Sequence, residues 1–231
     1  MIHTVFITGT TRGIGLELVR QFLETGSKVF ATARHPETDA LQSLKATHDD
    51  ALQLLTLDVT NRSEIETAVS SLAGQPVNLL INNAGLYQSR SDDMESLKPE
   101  TWLQEFHVNA IAPFMVTRAL RPNLAAADDA LVAMISSKMG SMSDNTSGGA
   151  YSYRSSKAAL NAVTVSLARD LAGDGTRVVA LHPGWVRTDM GGASAPVDTT
   201  QSASGLRKVM LCIDEAQNGG FFNYTGDAIP W

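Results

Sequence analysis

Cysteine is almost absent, with Cys212 alone in 231 residues. A single thiol closes no internal disulfide, which fits a reducing compartment. Long apolar runs are missing as well. No stretch approaches the roughly 20 residues a membrane helix needs, so no membrane span is expected. Basic runs are lacking and the formal charge is −6. That removes the electrostatic footprint of a nucleic-acid binder. His107 and His182 have no partners at ligand spacing, so no metal site is expected. The opening "MIHTVFITGT" shows no charged leader before a long apolar core. Together these absences point to a soluble, cytoplasmic protein.

Apolar residues are plentiful at 43%, against 18% charged. That proportion supports a substantial core, and the length suits one large α/β domain. Strand-like runs alternate with helical patterns. "TVFIT" (4–8), "KVFATA" (28–33), "LQLLTLDV" (52–59), "VNLLIN" (77–82), "ALVAMIS" (130–136), "TRVVALH" (176–182) and "GGFFNY" (219–224) read as strands. Helices are expected after the first strand and around 37–47, 61–73, 99–126 and 151–172, with a break near Pro113. Near-continuous apolar strands between helices indicate a Rossmann-type doubly wound parallel sheet covered on both faces. The stretches 86–98 and 188–205 lack periodicity and follow strand ends. Together with 138–150 they are the expected substrate loops.

The first strand runs into "TGTTRGIG". Gly9 suits a tight turn, Gly13 a close approach of backbone to a pyrophosphate, and Gly15 tight packing of helix on strand. The next helix then offers its amides and positive dipole end to phosphate. At the end of the second strand an acid would accept ribose hydroxyls. Here Ala33 stands in that place and Arg34 follows, while Arg12 lies in the glycine turn. Two guanidinium groups suit a 2'-phosphate, so the expected cofactor is NADP(H).

"AYSYRSSKAALN" contains a second constellation. Tyr153 and Lys157 are i and i+4 and share a helix face. An ordinary phenol titrates near 10, and a nearby ammonium lowers that value by favouring the phenolate. Tyr151 falls on the opposite side and is expected to line the pocket or pack. Trp185 either lines the substrate pocket or packs, and Cys212 is expected as a small core residue on a late helix.

With these stretches the chain resembles the short-chain dehydrogenase/reductase family. The resemblance rests on "TGTTRGIG", "NNAG" (82–85), "VNA" at Asn109, "ISS" after the fifth strand, "YRSSK" and "HPGWVRT". The stretches "LHPGWVRTDMGG" and "NGGFFNYTGDAIPW" are similar to the C-factor/sniffer-type carbonyl reductases. The resemblance implies hydride transfer between NADPH and a ketone, aldehyde or quinone. Tyr153 would be the general acid/base, Lys157 its pKa-lowering neighbour, and Ser137 the carbonyl-contacting serine, with Ser136 as the alternative. Asn109, at a helix kink, would position a water that relays protons to Lys157. The implied cofactor contacts begin with Gly9, Thr11, Arg12, Gly13, Ile14 and Arg34. Asp58 and Val59 follow the third strand, with Asp58 either touching adenine or simply preceding a helix. Asn82, Asn83, Ala84 and Gly85 would line the cleft. Pro183, Gly184, Val186 and Thr188 would contact the nicotinamide, with Tyr153 and Lys157 on its ribose side. The family also implies a homodimer or homotetramer paired through the helices near 99–126 and 151–172. A regulatory or signalling role on the same nucleotide-binding scaffold is the second functional reading.

Overall fold

Alternate side chains of each central strand enter two different helical layers. The computed structural model describes residues 3–231, with Ser91 described by its backbone alone. Strands β1 (Thr4–Thr8), β2 (Lys28–Ala33), β3 (Leu52–Thr56), β4 (Leu79–Asn82), β5 (Ala130–Ile135), β6 (Thr176–His182) and β7 (Phe221–Asn223) form one parallel sheet. Its order is β3-β2-β1-β4-β5-β6-β7. The helices are α1 (Gly13–Glu24), α2 (Asp39–Thr47), α3 (Arg62–Ser70), α4 (Pro99–Phe106), α5 (Ala112–Ala125), α6 (Tyr151–Asp170) and α7 (Thr199–Cys212).

Val5 and Ile7 pack with Leu18, Phe22, Leu206 and Val209 of α1 and α7. Phe6, between them, packs with Ile65, Leu120 and Leu160 of α3, α5 and α6. Both faces are therefore dry, which explains why the strands read as unbroken apolar runs rather than alternating ones. The strand order reverses between β1 and β4, and a crevice opens there at the carboxyl ends of the strands.

The structure differs from the sequence expectations in several places. Strand β3 stops at Thr56 rather than at 59, because Asp58 turns the chain by accepting the Thr60 backbone N–H (2.9 Å) and hydroxyl (2.7 Å). The long helix expected over 99–126 breaks as a π-helical turn at His107–Ile111, before Pro113 rather than at it. Pro113 itself sits in the first turn of α5, where a missing N–H costs nothing. The expected loop 188–205 ends early, because α7 starts at Thr199. Cys212 is exposed at the end of that helix and is not a core residue.

Candidate active site

The crevice is built first from the turn after β1. Gly9 has φ +71°, and a Cβ there would lie 2.9 Å from the Ala84 Cα. Gly15 is tighter still, since its Cβ would meet the Gly9 carbonyl oxygen at 2.2 Å and Asn83 Nδ2 at 2.5 Å. Both positions require the missing side chain for close approach. Replacing Gly15 by alanine is thus expected to destabilise the fold by about 1–3 kcal/mol through overpacking. Thermal unfolding of the variant checks this, and a Tm equal to that of the wild type would contradict the packing described.

Helix α1 starts immediately after this turn. Arg12 is its N-cap residue, no side chain caps its amides, and no acid stands in its first turn. Backbone N–H groups of a first helical turn have no partner within the helix. The uncapped end of α1 is therefore a ready anion site, and Thr11, Gly13 and Ile14 surround it.

Across the switch point the "NNAG" motif divides its work. The Asn83 side chain donates to the Thr8 and Gly9 carbonyls, both at 2.9 Å. The Thr8 hydroxyl accepts the Asn83 and Ala84 amides, both at 3.0 Å. These bonds stitch the β4 end onto the glycine turn. Asn82 does not line the cleft as expected. It is buried on the opposite side, where its Nδ2 donates to the Thr117 hydroxyl at 3.1 Å. Gly85 lies at the crevice between Asn109 and Lys157, a Cβ there reaching 3.6 Å from Asn109 Oδ1 and 3.8 Å from Lys157 Nζ.

Tyr153, Lys157, Ser137 and Asn109 converge beside it, and all four are buried. Ser137 hydrogen-bonds the Tyr153 phenol, and its Oγ also accepts the Met139 amide at 3.1 Å. Ser136 turns away and donates to Asn161 Oδ1 at 2.6 Å. Lys157 Nζ donates to the Ile135 carbonyl at 2.9 Å and lies 5.8 Å from the Tyr153 ring centroid. Asn109, on the π turn, donates to the Leu86 carbonyl (2.8 Å) and the Ser156 hydroxyl (3.0 Å). Its Oδ1 accepts the Leu86 amide at 2.8 Å.

Burial dominates the titration of the pair. It raises the Tyr153 phenol well above its ordinary value, opposed by the Ser137 hydrogen bond and by the Arg90 charge, while Tyr87 and Glu105 add to the rise. Burial also lowers Lys157 to about 8, which still leaves the ammonium predominant at neutral pH. The expected lowering of Tyr153 by Lys157 is not found, because the ammonium is directed at Ile135 and desolvation disfavours both charged forms. A raised phenol keeps its proton at neutral pH, which is the form able to donate it.

The remaining predicted residues stand around this centre. A Cβ on Gly13 would lie 3.3 Å from the Thr188 methyl, so the segment after β6 reaches the glycine turn. Gly184 has φ +86° against the Tyr224 ring, and Pro183 is held by Ser202 donating to its carbonyl at 2.7 Å. Val186 is buried and bridges to Val197. Arg34 is exposed and lies near Asp58. Burial pushes the Asp58 carboxyl up, but the Thr60 bonds and the Arg34 and His107 charges outweigh it and leave it below its ordinary value. Val59 is half-buried next to it. The exposed Arg12 pairs with Asp189 at 3.2 Å. Tyr151 and Trp185 are exposed, and the Trp185 indole donates to the Gly191 carbonyl at 2.7 Å. Among the described residues, no three His, Cys, Asp or Glu side chains come together as a metal site would need. No helix among them is long and apolar enough to cross a membrane.

Sequence reasoning missed three residues. The Tyr87 ring stacks on Tyr153 with centroids 4.1 Å apart and planes at 20°. The Arg90 guanidinium lies 5.6 Å from the Tyr87 ring centroid and bonds the Asp189 and Met190 carbonyls. Glu105 is fully buried beneath them. The available signals were the place of Tyr87 directly after "NNAGL" and that of Glu105 one helical turn before Asn109.

Comparison with known proteins agrees with this geometry. The short chain dehydrogenase family model matches residues 3–198. The C-signal protein of Myxococcus xanthus is 42% identical over 159 residues, covering 68% of this chain and 93% of that protein. The carbonyl reductase Sniffer of D. melanogaster superposes with a TM-score of 0.95 at 35% identity, over 100% of both chains. The NADPH-bound carbonyl reductase from chicken fatty liver gives 0.93 at 35% identity, over 100% of this chain and 99% of that one. The chain belongs to the short-chain dehydrogenase/reductase family.

Proposed function

We propose that this protein is an NADP-dependent carbonyl reductase in which Tyr153 is the proton donor. The observation that carries the reading is the buried convergence of Ser137, Tyr153, Lys157 and Asn109 beside the uncapped amino end of α1. The residues present fit the cofactor. The α1 amides and the glycine turn would hold the pyrophosphate. Arg34 and Arg12 would hold the 2'-phosphate, with no acid at Ala33 to repel it. Asp58 and Val59 would flank the adenine. Asn83, Ala84, Gly85, Pro183, Gly184, Val186 and Thr188 would border the nicotinamide end. Structures similar to this one contain NADPH or NADP in the chicken liver and Pseudomonas aeruginosa carbonyl reductases, which supports the choice.

When bound, NADPH supplies a hydride to the carbonyl carbon of the substrate. Tyr153 gives its proton to the carbonyl oxygen. Ser137 hydrogen-bonds the same oxygen as charge develops on it. Lys157 presents the ammonium that balances the phenolate left on Tyr153. Asn109, by holding Leu86 and Ser156 together, fixes the floor on which this exchange takes place and through which the proton is replaced. A purely regulatory role is not favoured, because all four residues are assembled. The family implies pairing of subunits through α4, α5 and α6, and the exposed Leu103, Ile111 and Phe114 on this surface support it.

The test is loss of NADPH absorbance with a panel of ketones, aldehydes and quinones, comparing wild type, Ser137→Ala and Ser136→Ala. Removing the Ser137 hydroxyl is expected to lower kcat about tenfold, the worth of one neutral hydrogen bond. Equal loss in Ser136→Ala, or none in Ser137→Ala, would overturn the assignment of the serine. No turnover of any carbonyl with NADPH bound would overturn the reductase reading.

A further inference from the structure

One helix face grips the loop after β4 at three neighbouring residues. Asn109 takes both the N–H and the carbonyl of Leu86, each at 2.8 Å. Glu105, one turn earlier on the same face, accepts the Gln88 amide at 2.7 Å and the Ser89 amide at 2.8 Å. The Ser89 hydroxyl donates to its second carboxylate oxygen at 3.2 Å and accepts from the Ser152 hydroxyl at 2.6 Å. Ser152 directly precedes Tyr153. Tyr87 is thus the one residue between two clamps, and its ring is the one that lies flat on Tyr153 at 4.1 Å.

Glu105 is 0% exposed and sits at the carboxyl end of α4. A carboxylate there faces the negative end of the helix dipole and has lost its water. Charge-assisted bonds from two amides and a hydroxyl offset that cost. A hydrophobic side chain would fill the same volume more cheaply but would hold nothing. Its presence is explained by what the loop must do.

We propose that Glu105 is a positioning residue for the catalytic centre: it locks the 86–89 segment so that the Tyr87 ring is held against the Tyr153 phenol, fixing its orientation and keeping water from it. This rests on Tyr153 being the proton donor. The groups facing the phenol are Ser137 and Lys157 from the β5 end and α6, Tyr87 and Arg90 from the loop, and Glu105 from α4. Removing Tyr87 admits water, and removing Glu105 also deletes a negative charge. Both changes lower the phenol from its raised value. In carbonyl reduction the phenol must be protonated, so activity then falls away at a lower pH than in the wild type.

The experiment measures kcat, KM and the pH profile of NADPH-dependent reduction for Glu105→Ala, Glu105→Gln, Tyr87→Ala and Tyr87→Phe, with NADPH affinity from protein fluorescence. Glu105→Ala and Tyr87→Ala are expected to lower kcat about 10- to 100-fold, the cost of a displaced catalytic group. Their alkaline limbs move to lower pH, their NADPH affinity stays near that of wild type, and the double variant is no worse than the worse single one. Tyr87→Phe, which keeps the ring, recovers most of the loss. If Glu105→Ala does not fold, Glu105→Gln and Tyr87→Ala carry the test. Unchanged kcat and unchanged pH limbs in the folded variants would overturn the proposal, as would a lowered Tm with no kinetic effect. If instead Tyr153→Phe keeps wild-type turnover, the reductase assignment fails first, and the two failures are told apart.

Discussion

Tyr153→Phe is expected to lower kcat by about 10²–10⁴-fold, the range that a positioned general acid contributes. The substitution is mild in every other respect. Phenylalanine keeps the ring that stacks on Tyr87 at 4.1 Å, and it fills the same buried space. The only group lost is the hydroxyl bonded to Ser137. One such bond contributes about 1 kcal/mol to stability, so the variant should fold. Its NADPH affinity should match that of the wild type, since the α1 amides, Arg12 and Arg34 are untouched. Kinetics with a carbonyl substrate and fluorescence titration with NADPH separate the two effects. A loss smaller than about tenfold would mean that water or another side chain donates the proton as well as Tyr153 does.

The double replacement of Arg12 and Arg34 by alanine is expected to weaken NADPH binding by about 10²–10⁴-fold and to leave NADH nearly unaffected. Each hydrogen bond to a charged group is worth about 1.5–3 kcal/mol, or about 10- to 100-fold, and the two arginines act from different segments. Arg12 is paired with Asp189 in this structure, both side chains being largely exposed. An exposed pair of that kind contributes about 0–1 kcal/mol, so it is no barrier to recruitment of the guanidinium by a phosphate. Direct titration of the wild type and the double variant with both cofactors checks the prediction. An unchanged preference would mean that the 2'-phosphate is recognised elsewhere.

The sheet was legible in the sequence because each strand is buried on both faces and reads as an apolar block. Helix α7 was not. Its inward positions include Ser202 and Ala203, and Gly205 faces the Tyr224 backbone so closely that a Cβ would meet its carbonyl oxygen at 2.3 Å. A helix packed through small residues carries little hydrophobic periodicity. The glycine turn and the Tyr153–Lys157 pair were legible because local spacing alone puts their atoms together. Tyr87 and Glu105 were not, since their partners are fixed only when the loop after β4 folds across α4 and α6. The direction of the Tyr153 shift was misread for the same kind of reason. Sequence spacing gives the proximity of an ammonium, but the depth of burial and the carbonyl that Lys157 binds are tertiary facts.

The central claim is that this chain moves a hydride from NADPH to a carbonyl carbon while Tyr153 supplies the proton. The most direct measurement follows the label from NADPH deuterated at the nicotinamide C4 into the product alcohol by mass spectrometry, for wild type and Tyr153→Phe. The account predicts one deuterium on the former carbonyl carbon with wild-type protein, and almost no labelled product from the variant in the same time. Labelled alcohol formed at equal rates by both proteins, or no labelled product from wild type that binds NADPH, would contradict it.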